Sequence, residues 1–493
     1  MEIYKIILIA IAAAIGSLLL FMIIRTLCIR PKKTAFCGKQ NLNLDKDKIA
    51  EDLSGAIQIP TVSMVEEFVG QDKPFKEFHA YLKKTFPIIH QTAKLTVIND
   101  YSLVYHFKGT DDTLLPACFL AHQDVVPATD AGWDYPPFSG KITDDGYIYG
   151  RGALDMKNHL IALLEAMETL LKNGQTFERD VYFCFGHDEE PGTSFEGAPK
   201  IVEYFIEKGI KFEFVLDEGG IVLDGKMLGV NKLLAMIGIC EKGNSDFELV
   251  VRHTGGHASN PKRKTAVGML AKALVKLQKH PMKTKWTSVT KDTFKAITPY
   301  AKGPLKFVLA NRDIFSPLVK KVLTVADSMT NALVRTTFAP TMIWSAEARN
   351  ILPNEVRVNL NTRIMTGETD KDVIKHLKKV CGKNVEVVTA AYTEPTPVSD
   401  IKSHGYVKLQ QTISEMFDNT VAIPYMFIAA SDARFYSPVS DNVFRFAPFI
   451  NGKDDQPRIH GINERTTKDA MEKATQFFAN FIVNSCCKNS SET

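Results

Sequence analysis

The feature that most constrains this chain is a set of separated segments, each offering a histidine or an acidic side chain after an apolar run. They are His122 and Asp124 in AHQDVVPA, Asp155 in GRGALDMK, Glu189 and Glu190 in GHDEE, Asp217 in VLDEGG, and His460 in RIHGINE. The runs LTVIND, LVYHFKG, ACFLAHQDVV, DVYFCFGHDEE and FEFVLDEGG read as strands. Between them HLIALLEAMETLLKNG has apolar residues at helical spacing and a glycine stop. Strands alternating with helices predict an α/β layered domain, in which ligands sit beyond the strand C-termini. A single His-x-Asp is more often a buried hydrogen bond than a metal site, and an acidic pair is usually a solvated face. Solvation is a poor account of five such ends in one domain.

The chemistry fits two zinc-type ions sharing a carboxylate. Imidazole and carboxylate ligands suit zinc, and ions about 3.5–4 Å apart clamp both the nucleophile and the leaving oxygen of a hydrolysis. One carboxylate must stay unligated to take the proton from the attacking water. Adjacent Glu189 and Glu190 divide those duties if their side chains point in different directions.

A second module opens near Glu241. FELVVRH, VRVNLNTRI and VEVVTAAY read as strands, and AVGMLAKALVKLQKH and DKDVIKHLKKVC as helices, an order that predicts a small α+β, ferredoxin-like sheet with helices on one face. The stretch from about Lys283 to Pro340 is helical and apolar enough to line a binding pocket. The expected boundaries are 45–240 and 394–493 for a catalytic domain and 241–393 for the module inserted into it.

From Ile6 to Ile24 no residue is charged, and that length is enough to cross a bilayer. An uncleaved anchor over 6–24, followed by a linker over 25–44, is the reading. A cleaved signal peptide is its rival, disfavoured by the long apolar run and the lack of an A-x-A-like cleavage site. Arg25, Arg30, Lys32 and Lys33 follow the apolar run, against Lys5 before it, which by the positive-inside rule keeps the bulk of the chain cytosolic.

The net charge is only +4, and no stretch concentrates it on one face, so nucleic acid is not an expected partner. Lys262–Lys264 is read as a solvated helix start. Eight cysteines in so long a chain make no disulfide framework, and no CxxC occurs. Cys118, Cys184 and Cys240 lie in apolar strand-like runs and read as buried small hydrophobes.

In order, AHQDVVPA, GRGALDMK, GHDEE, VLDEGG, GGHASNP, NILPNEVRVNLNTR, EPTPVS, SDAR and RIHGINE resemble the M20 family of di-zinc metallopeptidases, from about residue 50 to 480. Within it the chain looks most like the carboxypeptidase S branch, which includes the N-fatty-acyl-amino-acid synthase/hydrolases. The resemblance implies a zinc held by His122, Asp155 and Glu190, and a second held by Asp155, Asp217 and His460. It implies Asp124 as the residue that fixes the His122 tautomer, Glu189 as general base, and His257 of GGHASNP as oxyanion stabiliser. It also implies Arg434 and Arg363, with Asn350, as readers of a substrate carboxylate, for which the planar guanidinium fork is suited.

The function that follows is hydrolysis, or reversible formation, of the amide between an acyl group and an amino acid. The alternative is a carboxypeptidase or dipeptidase acting on peptides with a free C-terminal carboxylate. The resemblance further implies a lumenal or secreted catalytic domain, and a lid or homodimerisation role for the inserted module. Two departures touch specificity more than activity: Ala429, Ala430 and Ser431 replace a Gly-rich approach to Asp432, and PGTSFEG after the acidic pair is longer and less Gly-rich than usual.

Overall fold

The computed structural model describes residues 2–31, 38–63, 72–191, 196–346, 348–450, 452 and 455–488. Lys32 and Lys33 of the basic flank, and most of PGTSFEG, lie outside them. The chain divides into two compact units. One comprises 1–30, 240–397 and 426–430, the other 31–239, 398–425 and 431–493.

The larger unit is built on a nine-stranded mixed sheet. Its main path runs Lys94–Ile98, Ser102–Phe107, Val181–Gly186, Ala117–His122, Phe214–Asp217, Val443–Arg445, Leu233–Glu241, Thr420–Phe427. Val181–Gly186, Ala117–His122, Phe214–Asp217 and Val443–Arg445 are neighbours and parallel, so their C-terminal ends share one edge of the sheet. Both faces of this centre are covered. Phe119 meets Phe481 of the helix Lys468–Cys486, while Cys118 and Leu120 join Ile201, Val202 and Phe205 of the helix Ala198–Glu207. That double burial is why the strands read as unbroken apolar runs rather than alternating ones. Cys118, Cys184 and Cys240 are buried free thiols. The helix Lys157–Lys172 is buried over most of its surface and packs against Lys46–Ile57 and Lys468–Cys486.

Part of the expected linker is tied down. The backbone N–H groups of Gln40 and Leu42 donate to the side chains of Asn480 and Gln476 at 2.8 and 3.0 Å, which lays this stretch along the C-terminal helix.

The smaller unit holds an antiparallel sheet in the order Thr337–Trp344, Glu355–Ile364, Gly243–Arg252, Glu386–Ala391. The helices Ala266–Lys279 and Asp370–Cys381 share one apolar cluster with it. The strand Thr337–Trp344 is a departure from the sequence reading, which ran the helical segment to Pro340. Proline has no N–H for a ladder and argues against a strand; here Pro340 sits on an edge strand, where the register shifts between Pro340 and Met342. The rest of the segment is helical as expected, in Ser288–Ile297, Gly303–Ala310, Ser316–Ala326 and Ser328–Ala332. In the same unit lies the apolar helix Glu2–Cys28.

Candidate active site

Strand ends set the site. Ala117–His122 delivers His122 at its last position, and Val181–Gly186 leads directly into His187, Asp188, Glu189 and Glu190. Phe214–Asp217 ends one residue before Glu218. In each case a buried apolar run fixes the backbone and the polar residues emerge where the sheet stops.

His122 is the hub. Its Nδ1 lies 2.9 Å from the Asp124 carbonyl oxygen and 3.3 Å from the Asp124 carboxylate, and its Nε2 faces Asp155 at 3.1 Å and Glu218 at 3.4 Å. Burial opposes a charge on this ring, but the three carboxylates prevail and hold its pKa well above the ordinary histidine range. On the other side of Asp155, His460 Nε2 lies 3.1 Å from Asp155 Oδ2 and 2.9 Å from Glu190 Oε2. These two carboxylates raise the His460 pKa to about 10. Asp155 thus stands between two imidazoles, one oxygen toward each.

Asp124 does more than orient His122. Its carboxylate accepts the Ser63 hydroxyl at 2.5 Å and the backbone N–H groups of Glu189 and Glu190 at 3.3 and 3.1 Å. One buried carboxylate therefore positions both members of the acidic pair. The Glu189 carboxyl is pushed well above its usual range by burial and by neighbouring Glu218, Asp432 and Glu190, with His122 opposing. Burial and Asp155 likewise raise Glu218 to about 8, again against His122. A carboxylate with raised proton affinity is what a general base at neutral pH requires.

Asp217 is the ligand that the resemblance implies, and its neighbour Glu218 carries no role in the sequence reading. The Asp217 carboxylate accepts the backbone N–H of Ala433 at 2.7 Å and that of Glu218 at 2.9 Å, so it fixes the turn Asp432–Phe435 that carries Arg434. It is Glu218 that reaches His122. The following turn needs its glycines: Gly219 has φ +100°, and a Cβ on Gly220 would meet the backbone oxygens of Met236 and Arg445 at 2.3 and 2.4 Å.

Ligand atoms of His122, Asp155 and Glu190 lie within 4.8 Å of one another, as do those of His122, Glu189 and Glu218. Two observations favour cations there. Four carboxylates converge on only two imidazoles, and Glu190 Oε1 is buried without a hydrogen-bond partner among the described residues. The donor set of imidazole nitrogen and carboxylate oxygen is that of zinc-type sites.

The sequence reading missed the frame that holds His460 and Asp155. Glu464 accepts Arg151 Nη1 at 2.5 Å and the backbone N–H groups of Gly152, Leu154 and Asp155 at 3.0, 2.7 and 3.1 Å. Arg151 Nη2 donates to the carbonyl of His460 at 3.2 Å. One ion pair thereby ties the loop bearing Asp155 to the loop bearing His460. The opposite charges inside GRGALDMK and RIHGINE were the available signal. Burial already raises the Glu464 carboxyl to about 7 against the opposing Arg151, so Arg151→Met leaves a buried, unpaired carboxyl that takes up a proton at neutral pH, and we expect a loss of up to about 3–5 kcal/mol, the cost of breaking a buried pair. Thermal unfolding of the variant checks it.

His257, Asn350 and Arg363 belong to the smaller unit. His257 lies exposed in a short ladder with Ile351–Leu352, its Nδ1 2.7 Å from Ser259 Oγ, and the Asn350 carbonyl accepts the N–H of Ala258 at 2.9 Å. Arg363 stands near the end of Glu355–Ile364, opposite Thr337 and Asn244.

Comparison with known proteins is consistent with this geometry. The profile of peptidase family M20/M25/M40 matches residues 118–484. The N-fatty-acyl-amino acid synthase/hydrolase PM20D1 of Xenopus tropicalis is 37% identical over 450 residues, covering 90% of this chain and 87% of that protein. The probable carboxypeptidase S-like 2 of Dictyostelium discoideum is 38% identical over 444 residues, covering 89% and 85%. Among solved structures, an M20 family metallo-carboxypeptidase from Sulfolobus solfataricus superposes with a TM-score of 0.64 at 20% identity, covering 89% of this chain and 99% of that one. At that identity the likeness speaks for the fold.

Proposed function

Because the chain belongs to peptidase family M20/M25/M40, and is thus a metal-dependent hydrolase, we propose that it hydrolyses N-acyl amino acids, and N-fatty-acyl amino acids in particular. The observation that carries the reading is Asp155 standing between His122 and His460, with Glu189 held near His122 by Asp124. Two zinc ions are the proposed cofactors. The resemblance pairs Glu190 with His122 and Asp217 with His460; the contacts of Glu190 with His460 and of Glu218 with His122 favour instead His122, Asp155 and Glu218 as the holders of one ion and Asp155, Glu190 and His460 as those of the other. When bound, such a pair lowers the pKa of water and polarises an amide carbonyl.

The chain's own residues do the rest. Asp124 holds Glu189 by its backbone, and the Glu189 carboxylate takes the proton of the attacking water and later delivers it to the departing amine nitrogen. Asp217 fixes the turn that presents Arg434, whose guanidinium is proposed to bind the substrate carboxylate. For His257, Arg363 and Asn350 the proposed roles rest on the motif resemblance. The helix Glu2–Cys28 is the candidate anchor, by its length and apolar composition, with the catalytic domain lumenal or extracellular. The lid or dimerisation role of the smaller unit is likewise proposed.

The test uses the full chain with zinc, incubated with N-oleoyl-phenylalanine, shorter N-acyl-phenylalanines and dipeptides, with mass spectrometry of the products. We expect release of oleate and phenylalanine, with kcat/KM rising with acyl-chain length. Cleavage of the dipeptides alone would transfer the assignment to a carboxypeptidase, the activity named for the Dictyostelium relative.

A further inference from the structure

The helix Ser316–Ala326 presents apolar residues on two faces, and the fold uses one. Val319 is buried, and Phe315 and Leu323 are partly buried beside it. On the outward side Leu318, Val322 and Val325 follow one another at spacings of four and three residues, which makes an apolar stripe along this helix; Ile314 lies in the turn before it, and Met329 in the short helix Ser328–Ala332 that follows extended Asp327. All five are exposed, Val325 to 76%. A contiguous apolar stripe left in water marks a surface that meets something else.

Two further observations say what it meets. The stripe begins where the apolar helix Glu2–Cys28 ends. Asn311 Nδ2 donates to the Met22 carbonyl and to Thr26 Oγ1, both at 3.2 Å, and Arg25 pairs with Asp313 at 2.9 Å, one residue before Ile314. Met22 is buried in this contact. Both helices belong to the same compact unit, so the stripe leaves from the charged end of the apolar helix. In a membrane-anchored chain that end lies at the headgroups.

The second observation is charge. Lys320 and Lys321 line a groove together with Ser316, Thr324 and Arg335. Lys320 Nζ lies 6.0 Å from the Trp286 ring centroid, and Trp286 Nε1 donates to Ser316 Oγ at 2.7 Å. Leucine and valine on one side, with Lys321 next to that side and Lys320 on the opposite one, is the pattern of a helix lying in the plane of a bilayer surface. Basic residues at that depth attract anionic headgroups.

We propose that the outward face of Ser316–Ala326 lies in the interfacial layer of the same bilayer that holds Glu2–Cys28. The inference rests on the anchor reading and extends it: the smaller unit is laid on the membrane by a second contact as well as tethered to it.

The experiment reconstitutes the full chain in vesicles of phosphatidylcholine and phosphatidylserine. Leu18, Val322 and exposed Lys262 are replaced, one at a time, by the photoreactive residue p-benzoylphenylalanine. After irradiation, lipid adducts at each position are counted by mass spectrometry, and chain–chain adducts are sought on denaturing gels. We expect lipid adducts at 322 several-fold above those at 262, and a fall at 322, not at 18, when phosphatidylserine is omitted. Adducts at 18 with 322 no higher than 262 would overturn the proposal and leave the anchor standing. Lipid adducts at neither 18 nor 322 would overturn both. Chain–chain adducts at 322 in place of lipid would overturn it in favour of a second copy on this face.

Discussion

Glu189→Gln is expected to lower kcat/KM by about 10²–10⁴-fold, the usual worth of a general acid–base, while the purified protein still carries both metal equivalents. The reasoning is geometric. Glu189 is held through its backbone N–H by Asp124, and its carboxyl is raised by burial and by the acidic neighbours around it. Glutamine keeps the shape and the backbone contact but cannot take a proton. Glu190→Gln should behave differently, because Glu190 contacts His460 at 2.9 Å and leaves a second buried oxygen without a partner among the described residues. That variant should lose metal together with activity. Metal content by mass spectrometry, measured beside steady-state kinetics, separates the two. Equal metal loss in both variants would mean that the acidic pair does not divide its duties as proposed.

Much of this site was legible because the parallel strands are buried on both faces. His122 and the acidic pair follow runs with no polar interruption, so the places where the sheet stops could be read directly. What sequence could not show is where the other polar residues of such a cluster go. In GHDEE, His187 goes to Ser102 Oγ at 2.7 Å, and Asp188 accepts the N–H groups of Glu196 and Gly197, which leaves Glu189 and Glu190 for the site. Those assignments depend on partners far along the chain. The same holds for Arg151 and Glu464, which are 313 positions apart and meet in a buried pair. The strand Thr337–Trp344 was hidden for a local reason, since Pro340 mimics a break and only its edge position makes it acceptable.

The adjacent acids Asp217 and Glu218 give the sharpest test of structure against motif. Alternation along a strand sends neighbouring side chains to opposite sides, but that rule lapses where the strand ends, and Asp217 is its last residue. Motif resemblance selects Asp217 as the ligand, whereas the geometry puts Glu218 3.4 Å from His122 Nε2 and spends Asp217 on the N–H of Ala433. We therefore expect Glu218→Ala to retain one metal equivalent instead of two. Its activity should fall by at least the roughly 10–100-fold that is typical of losing even an outer partner of a metal site. Asp217→Asn should retain both equivalents. Its amide oxygen can still accept from Ala433, but less strongly than a carboxylate, so the turn bearing Arg434 loosens. The expected signature is a raised KM for a substrate with a free carboxylate, with kcat changed less. The opposite outcome, metal lost from Asp217→Asn and kept in Glu218→Ala, would return the ligand to the position that the motif selects. In that case the contact between Glu218 and His122 would be an arrangement that metal binding rearranges.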